Sequence, residues 1–211
     1  MASFDTAYTL VAQAEGGYQK FSDDPGNYNS LDQLVGTNWG ISAPVYENFI
    51  GRPPSEEDMR RMTRGQAKAL YRALFWNDIQ GDEIVDQQVA NIFFDGRVNH
   101  GRFGTKLMQR VLRVADDGIV GPKTLFVLNS REPALIFNEY KASRISFYYE
   151  LADRRPEMRA RWLPVWLNRM EEFVYVNSGP PFMIPPSSTL AAGATPILIL
   201  IALSLLLNPP R

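Results

Sequence analysis

Apolar side chains recur every three or four residues at the start of the chain, which predicts an amphipathic helix. Ser3 stands where an N-cap is expected, and Gly16–Gly17 stands where the helix should end. The predicted buried face consists of Phe4, Ala7, Tyr8, Val11 and Ala14. The first helix therefore ends close to Glu15.

The helical pattern continues as far as residue 175. The sequences SEED (55–58) and TRGQ (63–66) both resemble capping boxes, and an apolar stripe follows the second. Further helices are predicted near Val89 and Phe103, at Pro122, and over 132–153 and 156–175.

Residues 18–42 interrupt this pattern with a segment rich in turn-forming residues. Two short extended pieces around GTNWGIS (36–42) would form a small β-hairpin. The predicted fold class is therefore mainly α, with one small hairpin.

The C-terminal end differs from the rest of the chain. No charged residue occurs between Glu172 and Arg211, and residues 189–207 are long enough to cross a bilayer, which takes about 20 residues in a helix. Residues 175–188 are rich in proline, glycine and serine and predict a linker. We interpret 189–207 as a transmembrane helix, with a buried C-terminal helix as the alternative.

Composition narrows the class of protein. The chain has 211 residues, 45% of them hydrophobic, so it can bury a sizeable core. A net charge of −1 gives no basic surface for nucleic acid, and the absence of cysteine excludes disulfides and thiol catalysis. The N-terminus lacks the pattern of a secretory signal peptide.

Glu15 stands out as a candidate acid. At the C-terminal end of a helix it would face the negative pole of the helix dipole, which opposes ionisation and raises the pKa of a carboxyl group. A raised pKa suits a general acid at neutral pH, whereas a solvated surface glutamate is the alternative. The second glycine of Gly16–Gly17 favours the functional interpretation, since one glycine suffices to end a helix.

Asp24 is the candidate for a second carboxylate. It precedes Pro25–Gly26, where an Asx turn would be an ordinary explanation, but it could also face Glu15 across a groove. Two carboxyl groups in unlike environments are the equipment of glycoside hydrolysis. Tyr18 and Trp39 flank these acids and could stack on sugar rings or belong to the core.

Several motifs in this order resemble glycoside hydrolase family 108, the N-acetylmuramidases of bacteriophages and bacteria. They are EGGY (15–18), DDPG (23–26), TNWGIS (37–42), LYRALFWNDIQGDEI (70–84) and FFDGRVNHG (93–101), and ADDGIVGPKTL (115–125) resembles the predicted peptidoglycan-binding region that usually follows. The resemblance covers about residues 5–172.

The resemblance implies an α+β lysozyme-like fold that cleaves the β-1,4 bond between N-acetylmuramic acid and N-acetylglucosamine. Glu15 would be the catalytic acid, and similarity to the Glu–Asp–Thr arrangement of phage-type lysozymes adds Asp24 and Thr37. The sequence NYNSLDQLV (27–35) lengthens the loop before Thr37, so Ser30 is a competing hydroxyl, and Asp23 competes with Asp24.

Further residues are candidates for binding the glycan. Asn38 lies between Thr37 and Trp39, and Asp95 and Asn99 share one face of a predicted helix. A buried, hydrogen-bonded pair is the alternative for Asp95 and Asn99, and a position at a helix end or in the groove wall is the alternative for His100. Because His100 is the only histidine, a histidine-based metal site is not expected, and neither a metal nor a cofactor is implied.

The predicted organisation has four parts: a lysozyme-like muramidase region (1–96), a helical peptidoglycan-binding-like region packed with it (97–174), the linker (175–188) and the transmembrane helix (189–207). The expected function is an endolysin for host cell lysis, and the similarity to phage-type lysozymes implies inversion, with retention as the alternative. Its expected partners are bacterial peptidoglycan, the inner membrane and a phage holin that gives access to the wall, but not nucleic acid.

Two other functions stay open at this point. One is a membrane-tethered, non-catalytic scaffold or glycan-binding module, and the other is a holin-like membrane protein. The expected location is the inner membrane of a bacterium, with a single C-terminal anchor and the catalytic domain in the periplasm.

Overall fold

A computed structural model describes residues 1–12 and 16–176, apart from the side chains of Glu157, Met158 and Arg161. Glu15 and the segment 189–207 lie outside the described residues, so their predicted roles are not tested by the structure. Within the described part, no helix is both long enough and apolar enough to cross a membrane.

The described chain folds mainly into α-helices, as the apolar spacing predicts. A short 3₁₀ turn (Pro25–Asn27) precedes α2, and α4 continues as a π-helical turn (Arg72–Trp76). The helices are α1 (Phe4–Ala12), α2 (Ala43–Ile50), α3 (Glu56–Arg61), α4 (Arg64–Tyr71), α5 (Gln87–His100), α6 (Arg102–Leu112), α7 (Pro122–Ser130), α8 (Pro133–Arg154), α9 (Pro156–Arg161) and α10 (Leu163–Glu171).

Both predicted capping boxes are confirmed. The Ser55 hydroxyl accepts from the Asp58 amide at the start of α3, and the Asp58 carboxylate accepts from the Ser55 amide. Thr63 and Gln66 make the equivalent pair of bonds at the start of α4. These local bonds satisfy amides that a helix N-terminus leaves without partners, so they fix where both helices begin.

The single helix predicted over 156–175 is wrong. The chain forms α9 and α10 instead, with Trp162 between them, and α10 ends at Glu171. Pro164 lies in the first turn of α10 and has no amide hydrogen for a bond to the preceding turn. A proline tolerated at a helix start therefore divides the predicted helix in two.

The predicted β-hairpin is not formed as a regular element. Residues 16–42 contain isolated antiparallel bridges, and no strand occurs among the described residues. One bridge joins Asn38 to Ile41 across a two-residue turn in which Trp39 and Gly40 have φ values of 50° and 72°. These values, with 91° at Gly36, interrupt the extended backbone that longer strands require.

Helix α5 occupies the centre of the fold. It packs against α1, α6 and α8, and α10 packs against α8. The helix continues through positions 96–97, where the sequence predicts the boundary between the muramidase and peptidoglycan-binding-like regions. Buried side chains from both sides of this boundary belong to one apolar core.

An ion cluster lies inside this core and joins three helices. Asp95 on α5 is 1% exposed and accepts hydrogen bonds from Arg144 of α8 (Nη2 to Oδ2, 2.6 Å) and Arg169 of α10 (Nε to Oδ1, 2.9 Å). Arg144 also donates to His100 Nε2 at 3.2 Å. Burial alone would raise the pKa of Asp95, but the two arginines outweigh it and lower that pKa to about 2.

Replacing Asp95 by asparagine should destabilise the protein by about 3–5 kcal/mol, because it leaves two buried guanidinium groups without their counter-ion. The free energy of unfolding in urea measures the effect. Asp153→Asn breaks an exposed pair with Arg159 and is the matched control; it should change stability by less than about 0.5 kcal/mol. Equal effects of the two substitutions would contradict a stabilising role for the cluster.

The same cluster sets a pH dependence. The folded-state pKa of Asp95 is lowered from an ordinary 3.8, so its contribution is present above the ordinary value and is lost as the pH falls towards about 2. The stability difference between wild type and Asp95→Asn should therefore shrink between about pH 4 and pH 2.

Candidate active site

Asp24 is held by the 3₁₀ turn that follows it. Its side chain caps that turn, with Oδ1 accepting from the Gly26 amide at 2.8 Å, so the Asx-type turn considered for this residue is present. The carboxylate is 1% exposed, and its other oxygen, Oδ2, has no hydrogen-bond partner in the described chain. One oxygen therefore fixes the side chain, while the other is buried without a partner in the described structure.

The electrostatic setting of Asp24 opposes its ionisation. Burial raises the pKa of its carboxyl group, the hydrogen bond from Gly26 lowers it, and the neighbouring charge of Asp23 raises it further, with a net increase. A carboxylate with a raised pKa binds a proton more strongly than an ordinary aspartate, as a general base requires.

Thr37 lies beside this turn although the preceding loop is long. Its backbone exchanges two hydrogen bonds of 2.9 Å with Gln19, and its hydroxyl lies 3.4 Å from the Gly26 carbonyl, which accepts from it. The Thr37 side chain is fully buried. The structure thus brings the predicted pair together at Gly26: Asp24 bonds to its amide and Thr37 to its carbonyl.

The longer loop is accommodated on the outside. Asn29 organises it by accepting from the amides of Leu31 and Gln33, both at 3.0 Å. Ser30 is exposed and donates its hydroxyl to Glu47 of α2, so its hydroxyl is bonded away from the Asp24 turn. This arrangement favours Thr37 over Ser30 as the site hydroxyl.

Three predicted substrate contacts make structural bonds at the junction of α3 and α4. The Asn38 amide donates to the Met59 carbonyl at 2.7 Å, and the Trp39 indole donates to the Met62 carbonyl at 2.9 Å. The Tyr18 hydroxyl contacts Glu56, and an arginine guanidinium lies 4.0 Å from its ring centroid. These bonds position the loop, while contact of Tyr18, Asn38 and Trp39 with substrate stays a prediction.

Asp95, Asn99 and His100 belong to the buried cluster described above. The Asn99 amide donates to the Asp95 carbonyl at 2.7 Å, and the three side chains are at most 2% exposed. Burial and the charge of Arg144 lower the pKa of His100, so this ring is neutral. The contacts of Asp95 and Asn99 are those of a buried, hydrogen-bonded pair, whereas His100 Nδ1 has no partner in the described chain; contact of these three residues with the glycan stays a prediction.

A cleft of about 390 Å³ opens between α1 and the first turns of α4. Arg64 and Lys68 bring positive charge to it, and Lys68 is paired with Asp5 at 2.9 Å. Ala12, the last described residue before Glu15, lines the cleft, together with Tyr8, Thr9 and Gly65. In the described ranges, no group of three or more His, Asp or Glu side chains is arranged to hold a metal ion.

The sequence does not single out two buried residues of this region: Gln19, which pairs with Thr37, and Asn27, which ends the 3₁₀ turn after Asp24. Asn27 donates to the Phe21 carbonyl at 3.0 Å, whereas its Oδ1 and both polar atoms of Gln19 lack partners in the described structure. The position of Gln19 follows only from its pairing with Thr37, and no local motif encodes that pairing.

Comparison with protein families identifies two consecutive regions. Residues 8–101 match the family model described as Glycosyl hydrolase 108, and residues 103–171 match the one described as Predicted Peptidoglycan domain. The boundary between the two falls at Gly101, where α5 ends and α6 begins. A search of curated proteins gave no match.

The structure of Brucella abortus SagA is similar to this chain, with 25% sequence identity and a TM-score of 0.65. The match covers 81% of this chain and 94% of that one. Together with the family matches, this similarity shows the class of protein: a lysozyme-like glycoside hydrolase that acts on peptidoglycan.

Asp24→Asn should raise the melting temperature at neutral pH. The folded-state pKa of Asp24 lies above 3.8, so ionisation of this carboxyl costs stability as the pH rises through that pKa, and asparagine removes the charge. A gain of about 1 kcal/mol would shift the melting temperature by about 2–4 °C at this chain length.

Thermal unfolding at pH 7 and pH 4 measures this effect. The gain should be smaller at pH 4, where Asp24 is closer to protonation in the wild type. Asp23→Asn, at the exposed neighbouring carboxylate, is the control and should shift the melting temperature less. A lower melting temperature for Asp24→Asn would show that its charge stabilises the fold.

Proposed function

We propose that this chain is an N-acetylmuramidase that cleaves the β-1,4 bond between N-acetylmuramic acid and N-acetylglucosamine, with Glu15 as the general acid. The observation that carries the proposal is the arrangement of Asp24. Its carboxylate is buried and fixed through one oxygen, with the other unbonded in the described structure, in the loop that follows Glu15. This loop lies within the region that matches Glycosyl hydrolase 108.

Hydrolysis needs one proton donor and one proton acceptor at the scissile bond. Glu15 gives its proton to the glycosidic oxygen as the bond to the anomeric carbon breaks. Asp24 takes a proton from a water whose oxygen bonds to that carbon, and Thr37 helps to orient this water by bonding to the turn that holds Asp24. Proton exchange with solvent then restores both carboxyl groups.

We propose inversion at the anomeric carbon. A water between Asp24 and the sugar requires about 6.5–9.5 Å between the two carboxyl groups, as inverting enzymes have. The unbonded Oδ2 of Asp24 supports a role as base toward water. Product analysis by NMR immediately after cleavage distinguishes the α-anomer of inversion from the β-anomer of retention.

We further propose an endolysin role in host cell lysis. The chain would be anchored in the inner membrane by residues 189–207 with its catalytic domain in the periplasm, and a phage holin would assist access to the wall. The support is the apolar, uncharged sequence of this segment, which follows a proline- and glycine-rich stretch.

Glu15→Gln should abolish lysis of purified cell walls while the fold is retained, because the amide keeps the shape of the side chain but cannot donate the proton. General acid catalysis is worth about 10²–10⁴-fold in rate. Zymography measures the lysis of cell walls, and circular dichroism measures whether the fold is retained. A folded Glu15→Gln protein that still lyses walls would exclude Glu15 as the acid, and a wild type that binds walls without cleaving them would favour a scaffold.

The same assay ranks the second carboxylate. Asp24→Asn should reduce activity more than Asp23→Asn, because Asp24 is buried in the turn and Asp23 is exposed. The reverse ranking would assign the base to Asp23.

Removing residues 178–211 should leave an enzyme that is active on isolated walls but lyses intact cells poorly from within. The reason is that the truncation deletes the proposed anchor and keeps all residues of the two matched regions. Protease added to spheroplasts that contain the full chain should digest the catalytic domain. A membrane-bound domain that resists protease would place it on the cytoplasmic side.

A further inference from the structure

Gln19 has an unusual setting for a glutamine. It is 9% exposed, and neither Oε1 nor Nε2 has a hydrogen-bond partner in the described chain. A buried amide without partners costs about 1–3 kcal/mol, so such a group calls for an explanation.

The position of Gln19 is fixed by its backbone. Gln19 and Thr37 exchange both of their backbone hydrogen bonds at 2.9 Å, which makes them a directly opposed antiparallel pair. The side chains of such a pair lie on the same face, with Cβ atoms about 5 Å apart. The Gln19 side chain therefore lies on the same face of this pair as the Thr37 side chain.

The Thr37 side chain leads to Asp24. Its hydroxyl donates to the Gly26 carbonyl, and the amide of the same glycine donates to Asp24 Oδ1. Gln19 is thus linked to Asp24 through Thr37 and Gly26, and the side-chain atoms of Gln19 and Asp24 left without partners in the described structure are Gln19 Oε1, Gln19 Nε2 and Asp24 Oδ2.

We propose that Gln19 holds the attacking water together with Asp24, as a further catalytic residue of this site. The inference rests on the proposed function above. The water would donate one hydrogen to Asp24 Oδ2 and the other to Gln19 Oε1, which leaves an oxygen lone pair directed at the anomeric carbon. As the new carbon–oxygen bond forms, the first of these protons passes to Asp24 and the leaving oxygen receives the proton of Glu15.

The other buried glutamine of the described chain provides a comparison. Gln109 on α6 is 1% exposed, but its amide donates to Asp117 at 2.8 Å and its Oε1 accepts from the Gly118 amide at 2.8 Å. Gln109 is bonded through both polar atoms and holds a loop. Gln19 is also buried, but both of its polar atoms lack partners in the described chain.

The test compares Gln19→Met with Gln19→Glu on soluble peptidoglycan glycan chains. Methionine keeps the length of the side chain and removes the acceptor, so kcat should fall on the order of 100-fold, the cost of a misplaced reactant, with KM nearly unchanged. Glutamate keeps an acceptor oxygen and adds a negative charge near Asp24. It should retain more of kcat and shift the acidic limb of the pH profile to higher pH.

A double-mutant cycle separates this role from a structural one. In the Asp24→Asn background Gln19→Met should have little further effect on kcat, because both residues act on the same water. Gln109→Met is the matched control: it should lower the melting temperature and leave kcat of the folded enzyme near that of the wild type.

Two results would overturn the proposal: wild-type kcat in Gln19→Met, or an undiminished effect of that substitution in the Asp24→Asn background. If Gln19→Met does not fold, the pH profile of Gln19→Glu decides, and an unshifted acidic limb counts against the proposal. Glu15→Gln is measured in parallel. An active Glu15→Gln protein means that the proposed function fails, whereas an inactive one with an active Gln19→Met protein means that only the role of Gln19 fails.

Discussion

The negative charge of Asp95 lies in the centre of the core, and two arginines from distant parts of the chain keep it ionised there. Taking charges out of water is costly, and the cost is offset only if the partners reach good geometry together. Helices α8 and α10 can therefore dock on α5 only where Arg144 and Arg169 reach the same carboxylate. This requirement ties the peptidoglycan region to the hydrolase region, since Asp95 belongs to one and both arginines belong to the other.

The Asp24 turn is built on the opposite principle. In the core cluster both oxygens of the carboxylate are bonded to cations, whereas in the turn only one oxygen of Asp24 is bonded and its charge has no cationic partner among the described contacts. The core cluster lowers the pKa of its aspartate, and the turn raises the pKa of Asp24. The first arrangement stabilises the fold, and the second costs stability.

Local features of the structure could be predicted from the sequence. The Ser55 and Thr63 capping boxes depend on residues three positions apart, and the long helix predicted over 132–153 is found at Pro133–Arg154. Short motifs point to Asp24 and Thr37, and the structure brings both residues to one turn.

Features that depend on distant partners could not be predicted. The sequence suggests a groove position for Asp95 because nothing near it reveals Arg144, which is 49 positions away, or Arg169, which is 74 positions away. Gln19 does not stand out in the sequence, because its importance comes from its pairing with Thr37. The hairpin was overestimated because positive φ angles at Gly36 and Trp39 are set by the packing of this loop as well as by residue type.

The length of a connection and the register of the segment after it usually change together. In the loop organised by Asn29 they are independent. The Asn29 side chain closes the loop: it accepts hydrogen bonds from the amides of Leu31 and Gln33 and donates one to the Pro54 carbonyl. Independently, the Asn27 carbonyl accepts from the amides of Val35 and Gly36. Leu31 and Asp32, which lie inside the segment closed by Asn29, are exposed. Relatives of this enzyme can thus gain or lose residues at this point in evolution without moving the threonine, and an engineer can attach a peptide tag or a fluorophore there for the same reason.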